Sequence, residues 1–296
     1  MTKYITVTCL FLQLIFPSFL VGQSIDKHKD KVNDESFTYY VMQPESEING
    51  ILLLLPGSGE NPKSIFDKTS LPQILVKKGF LIVVPELNNS LFADQKTINE
   101  LNTITQNYNA SNLVIGGFSS GGAVAIGYAE YLLSTDTENI LKGVFAIDPP
   151  LDLTRLYASS KRKIYYKCQG LIKKEGLSIK RQLENSLGGS PDSKPEQYVM
   201  HSSYSATDSK GGNAKYLNSI PIRLYTEPDL DFVKKTYCTD LQFNDINAVD
   251  LQNLYKFLLE IGNSKAEYIT TRGKGFHSWN ILDASDCAEW IIRTIN

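Results

Sequence analysis

Leu113-Val114-Ile115-Gly116-Gly117-Phe118-Ser119-Ser120-Gly121-Gly122-Ala123-Val124-Ala125-Ile126-Gly127 decides the fold of this chain. It sets a serine between a short apolar strand and a helix of small residues. Gly117 and Gly121 flank Ser119 in the spacing GxSxG, and a strand that turns this sharply into a helix leaves no room for larger neighbours. The turn lifts the Ser119 hydroxyl clear of the sheet. Ser120, at the start of the helix, offers an outward-facing backbone N–H that can stabilise negative charge on an attacked oxygen. Ala123, Val124, Ala125, Tyr128, Ala129 and Leu132 give the helix its apolar face.

Outward from this stretch, apolar runs recur. Phe37 to Met42 reads as an edge strand after a polar leader. Ile51 to Leu55, ending at Pro56, reads as a buried strand, as does Phe80 to Val84 before Pro85. Val144 to Ile147, Ile222 to Tyr225 and Glu267 to Thr270 continue the series. Helical segments, such as that around Leu71 to Lys78, separate them. Apolar strands alternating with helices predict a mostly parallel sheet covered on both faces, and such sheets bind ligands beyond the carboxyl ends of their strands.

Three further strand ends carry chemistry. Pro56-Gly57-Ser58-Gly59 is a tight loop, and the Ser58 N–H is the expected second oxyanion donor beside Ser120. A serine hydroxyl needs an adjacent base, and imidazole has the suitable pKa. Of the three histidines, His28 lies in the polar leader and His201 in a polar middle segment. Only His277 follows a core strand. The imidazole needs a carboxylate to fix its tautomer, and Thr226-Glu227-Pro228-Asp229-Leu230-Asp231 supplies three. Asp229 is the first choice, with Asp231 and Glu227 as alternatives.

The order Ser119, Asp229, His277, with the PGSG loop upstream, resembles the α/β-hydrolase superfamily from about Phe37 onward, and looks closest to its secreted bacterial hydrolases. Pro56 stands where many lipases and esterases carry the histidine of an HGGG loop. The resemblance implies an α/β-hydrolase fold acting as a serine hydrolase, most readily on a carboxylic ester, without metal or organic cofactor. HExxH, P-loop and dinucleotide motifs are lacking. A peptide, thioester or lipid substrate, or acyl transfer to another acceptor, would use the same triad. A catalytically silent binding protein is the rival class.

The 296 residues, 42% of them hydrophobic, suit one large domain with a substantial core, and a net charge of −2 gives no pull towards nucleic acid. Lys3 and the apolar Tyr4 to Val21 read as a secretory signal over residues 1–23, cleaved near Gly22 to Ser24. That predicts a secreted or periplasmic domain over 24–296, with no stable membrane insertion after cleavage; a retained anchor is the alternative. Cys168, Cys238 and Cys287 then permit one disulfide of undetermined pairing.

Leu151 to Ser219 exceeds any simple connection and reads as a lid-like insert of helix and loop. Leu153, Leu156 and Tyr157 suggest one helix. Ile179, Leu183 and Leu187 suggest another, ending at Gly188-Gly189, and Ser190 to Gly212 looks loop-like. Twelve Lys or Arg against six Asp or Glu make the insert net +6. Solvated helix faces explain this better than an anionic ligand, since Lys161-Arg162-Lys163 reads as exposed. Tyr157, Tyr165, Tyr166, Tyr198, Tyr204 and Tyr216 are candidates to line an apolar or carbohydrate pocket, with core packing as the alternative. The resemblance implies a small-molecule or polymer ester as the substrate. Asp283 should cap a closing helix that packs Ala284, Ala288, Ile291 and Ile295 on the sheet.

Overall fold

Eight strands form one sheet in the computed structural model, which describes residues 23–109, 111–135, 140–168 and 170–295. The secretory-signal reading falls, but for its last residue, outside them. The strands are β1 (Ile25–Val32), β2 (Glu35–Met42), β3 (Gly50–Leu55), β4 (Phe80–Pro85), β5 (Leu113–Phe118), β6 (Leu141–Ile147), β7 (Ile222–Thr226) and β8 (Ala266–Thr270). Their spatial order is β1-β2-β4-β3-β5-β6-β7-β8. β2 pairs antiparallel with both β1 and β4, and every pairing from β4 through β8 is parallel.

Successive side chains of a strand face opposite ways, and here both faces are covered. Ile51, Leu53 and Leu55 of β3 join one core layer, under α3 (Gln95–Asn107), α4 (Ser120–Ser134) and α9 (Ala248–Glu260). Leu52 and Leu54 join the other, under α2 (Leu71–Val76) and α10 (Ala284–Ile295). Each such leucine contributes about 1.5–3 kcal/mol on burial, which is why β3 to β6 tolerate almost no polar residue. Asp283 accepts from Ser285 and Asp286 N–H and caps α10 as expected.

The sheet departs from the sequence expectation at its edge. The polar leader forms β1, so β2 is an interior strand. Ile25–Val32 carries Asp26, Lys27, His28, Lys29, Asp30 and Lys31 between its two apolar ends, and an outermost strand is where charges are favoured because they discourage further pairing. A one-turn helix, α1 (Ile65–Lys68), follows β3.

Between β6 and β7 the chain leaves the sheet to form α5 (Leu153–Tyr165), α6 (Leu171–Leu187), α7 (Pro195–His201) and a 3-10 turn at Gly212–Leu217. α7 and the turn lie within or beside the stretch read as loop. α5 and α6 pack so closely that a Cβ on Gly176 would sit 2.7 Å from the Ser160 carbonyl oxygen. Leu156, Tyr157, Leu183 and Tyr198 bury a separate small core with Leu91 and Phe92. α8 (Leu230–Thr236) follows β7, and a Cys168–Cys238 disulfide ties the α5–α6 connection to the segment after it. Among the described residues Cys287 is the remaining thiol, and burial pushes it up to about 12, far from the range where it would act as a nucleophile.

Four of the insert's twelve basic side chains are paired within the fold, two of them with acids outside the insert. Arg155 pairs with Asp250, Arg162 with Asp245, Lys163 with Glu175 and Lys180 with Glu184. Lys163 is buried and Arg162 half-buried, so of the run expected to be exposed only Lys161 is.

Candidate active site

The strand-to-helix turn is built as its glycines demand. A Cβ on Gly117 would lie 2.4 Å from the Gly121 carbonyl oxygen, and one on Gly121 2.3 Å from that of Pro56. Ser119 between them holds φ 54° and ψ −127°, a conformation costing about 1–3 kcal/mol that the surrounding sheet must impose. Its N–H donates to the Ile147 carbonyl at 2.8 Å, which fixes the elbow to β6.

The Ser119 hydroxyl lies 3.0 Å from His277 Nε2, and His277 Nδ1 lies 2.6 Å from Asp148 Oδ2. An ionised carboxylate only accepts, so the ring proton sits on Nδ1 and leaves Nε2 to accept from the serine. Asp148 is 1% exposed. Its second oxygen accepts from the Thr226 hydroxyl at 2.7 Å, and its carbonyl from Asn247 Nδ2 at 3.0 Å. Like Ser119, Asp148 and His277 carry positive φ, 49° and 51°. Phe118 packs against the imidazole with ring centroids 4.7 Å apart.

This corrects the choice of carboxylate. Asp229, expected against His277, instead caps α8 by accepting from the Phe232 N–H at 2.9 Å. It lies beyond the turn at Pro228 and points into its own helix. Asp231 sits in the first turn of the same helix. Glu227 is buried at the end of β7, but it holds the histidine's loop and not its ring: it accepts from the Thr271 hydroxyl at 2.9 Å, Lys274 N–H at 2.7 Å and Gly275 N–H at 3.2 Å. Asp148 was findable by the same rule as the others, since it directly follows the apolar run ending at Ile147. Pro149 and Pro150 behind it give the look of an ordinary turn.

The oxyanion candidates converge. Ser120 is the first residue of α4, so its N–H has no intrahelical acceptor. On the facing loop, Gly57 N–H donates to Glu60 at 2.7 Å and Gly59 N–H to Asn89 Oδ1 at 2.7 Å. Among the described residues the Ser58 N–H between them meets no acceptor. Glu60 also accepts from Trp279 Nε1 at 3.1 Å, which ties this loop to the one carrying His277.

Ser58, Ser119, Ser120 and His277 open into a cleft of about 510 Å³ roofed by the insert. Leu156, Ile172, Ile179, Val233, Leu241 and Ile246 give its walls apolar stretches, interrupted by Lys163, Glu175, Gln182, Asp245 and Asn247. None of the six insert tyrosines lines it; Tyr157, Tyr166 and Tyr198 spend their hydroxyls on Glu184, Asp245 and the Gly189 carbonyl. Burial would raise Asp245 at the cleft wall, but the Tyr166 hydroxyl, the Gln242 N–H and Arg162 outweigh it and hold the carboxyl below its usual range. Cys168, Cys238 and Asp240 are close enough to suggest a metal site, but the two sulfurs are bonded to each other and offer no thiolate.

No family model and no curated protein matches the sequence. Solved structures do resemble the fold. An acylaminoacyl peptidase of Pyrococcus horikoshii superposes with a TM-score of 0.58 at 13% identity over 92% of this chain. The chain spans 42% of that enzyme's length. A fungal esterase of Rhizomucor miehei gives 0.58 at 11% identity, over 92% of this chain and 85% of its own. An esterase of Pyrococcus furiosus gives 0.57 at 14%, over 93% and 94%. The shared architecture is the α/β-hydrolase fold. Among the described residues no helix is long and apolar enough to cross a membrane.

Proposed function

We propose that the protein is a serine hydrolase that cleaves a carboxylic ester through an acyl-enzyme. The observation that carries this is the continuous chain from Ser119 through His277 to Asp148, at 3.0 Å and 2.6 Å. A binding protein that had merely kept the fold would have no need to hold three residues at positive φ around one ring.

Ser119 Oγ attacks the ester carbonyl while His277 Nε2 takes its proton. The carbonyl oxygen becomes an oxyanion, held by the Ser58 and Ser120 N–H groups, and Asp148 stabilises the imidazolium. Collapse of the tetrahedral intermediate breaks the carbon–oxygen bond of the ester, and the imidazolium passes its proton to the departing alcohol. Water then enters, His277 deprotonates it, and hydroxide attack on the acyl-serine releases the acid and restores the Ser119 hydroxyl. The apolar stretches of the cleft wall, Leu156, Ile172, Ile179, Val233, Leu241 and Ile246, support an acid with an aliphatic or aryl body. Secretion is proposed with it, in keeping with the apolar leader and a disulfide.

A fluorophosphonate probe tests the reading on the purified mature protein. Labelling should map to Ser119 and vanish in both Ser119→Ala and His277→Ala, alongside turnover of p-nitrophenyl esters. A folded protein that takes no label and turns over no ester would leave the silent binding protein as the better reading.

A further inference from the structure

A second cavity, of about 280 Å³, lies against the oxyanion loop and takes no part in the mechanism above. It shares Ser58 and Ser120 with the apolar cleft, so the two cavities meet at the two N–H groups proposed to hold the carbonyl oxygen. The two substituents of a carbonyl carbon diverge. An ester whose carbonyl oxygen is held by those two groups lies where the cavities meet, within reach of both.

The second cavity is the more polar of the two. Glu86 and Asn88 line it, and among the described residues neither side chain makes a hydrogen bond to another protein group. Glu86 is half-buried, and a carboxylate drawn partly out of water favours a ligand that donates to it. Asn88 and Asn89 hold φ 48° and 63°, a tight, solvent-exposed turn at the edge of the cavity. Asn89 in turn fixes the Ser58 hydroxyl and the Gly59 N–H, and its carbonyl accepts from Gln182 of α6 at 2.7 Å. The turn beside the polar cavity is thereby joined to the roof of the apolar one.

One free carboxylate beside a free amide, with the Ser58 and Ser90 hydroxyls near, is a set of acceptors and donors suited to neighbouring hydroxyls. It is poorly suited to a cation. The other carboxylate close by, Glu60, is already paired with Lys68 and bound by Gly57 and Trp279. We propose that this cavity is the subsite for the alcohol half of the ester and takes a hydroxyl-rich group, a sugar or glycerol, while the apolar acid occupies the cleft. The proposal rests on the ester-hydrolase reading and narrows its substrate class.

Three octanoyl esters test it on the mature protein: ethyl octanoate, 1-octanoylglycerol and 6-O-octanoylglucose. The expected kcat/KM for at least one polyol ester is ~10-fold above that of the ethyl ester. Glu86→Gln and Asn88→Gly, the latter chosen because glycine keeps the positive φ, should remove most of that preference and leave the ethyl ester within about twofold. Which polyol ester responds separates sugar from glycerol. Equal rates on all three esters, a preference that survives both variants, or a stronger preference for a choline ester would overturn the subsite while leaving the hydrolase intact. Absence of fluorophosphonate labelling at Ser119 would sink the hydrolase itself, and the subsite with it.

Discussion

The ends of β6 and β7 lie side by side, and each supplies a buried carboxylate, but the two do different work. Asp148 reaches the imidazole and Glu227 reaches the backbone that carries it. Thr226 stands between them, its hydroxyl donating to Asp148 and its carbonyl accepting from the Thr271 N–H at 3.0 Å. The difference lies in what each residue can reach. Asp148, turned by its positive φ, is presented across the sheet end to the ring. Glu227 has one more methylene and lies beneath a loop whose N–H groups point inward, so its oxygens are filled before the ring is met.

Removing the charge at the end of β6 should therefore have the largest effect. Asp148→Asn keeps the shape but can donate to Nδ1, which favours the tautomer with its proton on Nε2, where it cannot receive the serine proton. We expect kcat/KM on a p-nitrophenyl ester to fall by about 10³–10⁴-fold, with fluorophosphonate labelling slowed in parallel. A loss under tenfold would return the acid's role to the β7 end and erase the distinction.

Glu227→Gln should come second. The amide nitrogen cannot accept, so one of the three donors it now satisfies is left facing an NH₂ group, at a cost of about 1–3 kcal/mol in stability. A loop displaced by even part of an ångström misaims His277, and kcat should fall by about 10- to 100-fold with KM little changed. Titrating active sites with the fluorophosphonate corrects for unfolded protein. If activity per labelled site equals that of the parent while the Tm falls, Glu227 only stabilises the fold and the loop's aim does not depend on it.

The contrast also explains what could be read from the sequence. Ser119 and His277 were legible because each combines a scarce or constrained residue with a strand end, and Ser58 and Ser120 because glycines mark the loops that carry them. The sheet's parallel centre was legible from continuous apolar runs, and α5 and α6 from their helical spacing. The acid was not, because three carboxylates crowd the five residues after β7, against two, Asp148 and Asp152, in the five after β6. Choosing between the two ends needs the direction in which a side chain leaves its strand, and that is set by a backbone angle with no sequence signature for aspartate. β1 was hidden for a related reason: Lys27, Lys29 and Lys31 suit an outer strand, yet read alone they look like a solvated leader. The Cys168–Cys238 pairing depends on how the insert lies over α8, a long-range contact across a sequence separation of 70.

Asp229 supplies the smallest expected effect and the sharpest control. Its side chain satisfies one N–H at the start of α8, so Asp229→Ala should cost about 1 kcal/mol in stability, whereas Asp229→Asn, an equally good cap, should cost almost nothing. Neither should change kcat/KM by more than about twofold, since the carboxylate faces its own helix and α8 contributes only Val233 from its span to the cleft wall. The asparagine variant is the decisive one, because it preserves the cap and removes only the charge. If Asp229→Asn lost activity on the scale expected of Asp148→Asn, the charge itself would be acting on the imidazole, and the β7 end would have to swing Asp229 out of its cap and towards His277 during the reaction.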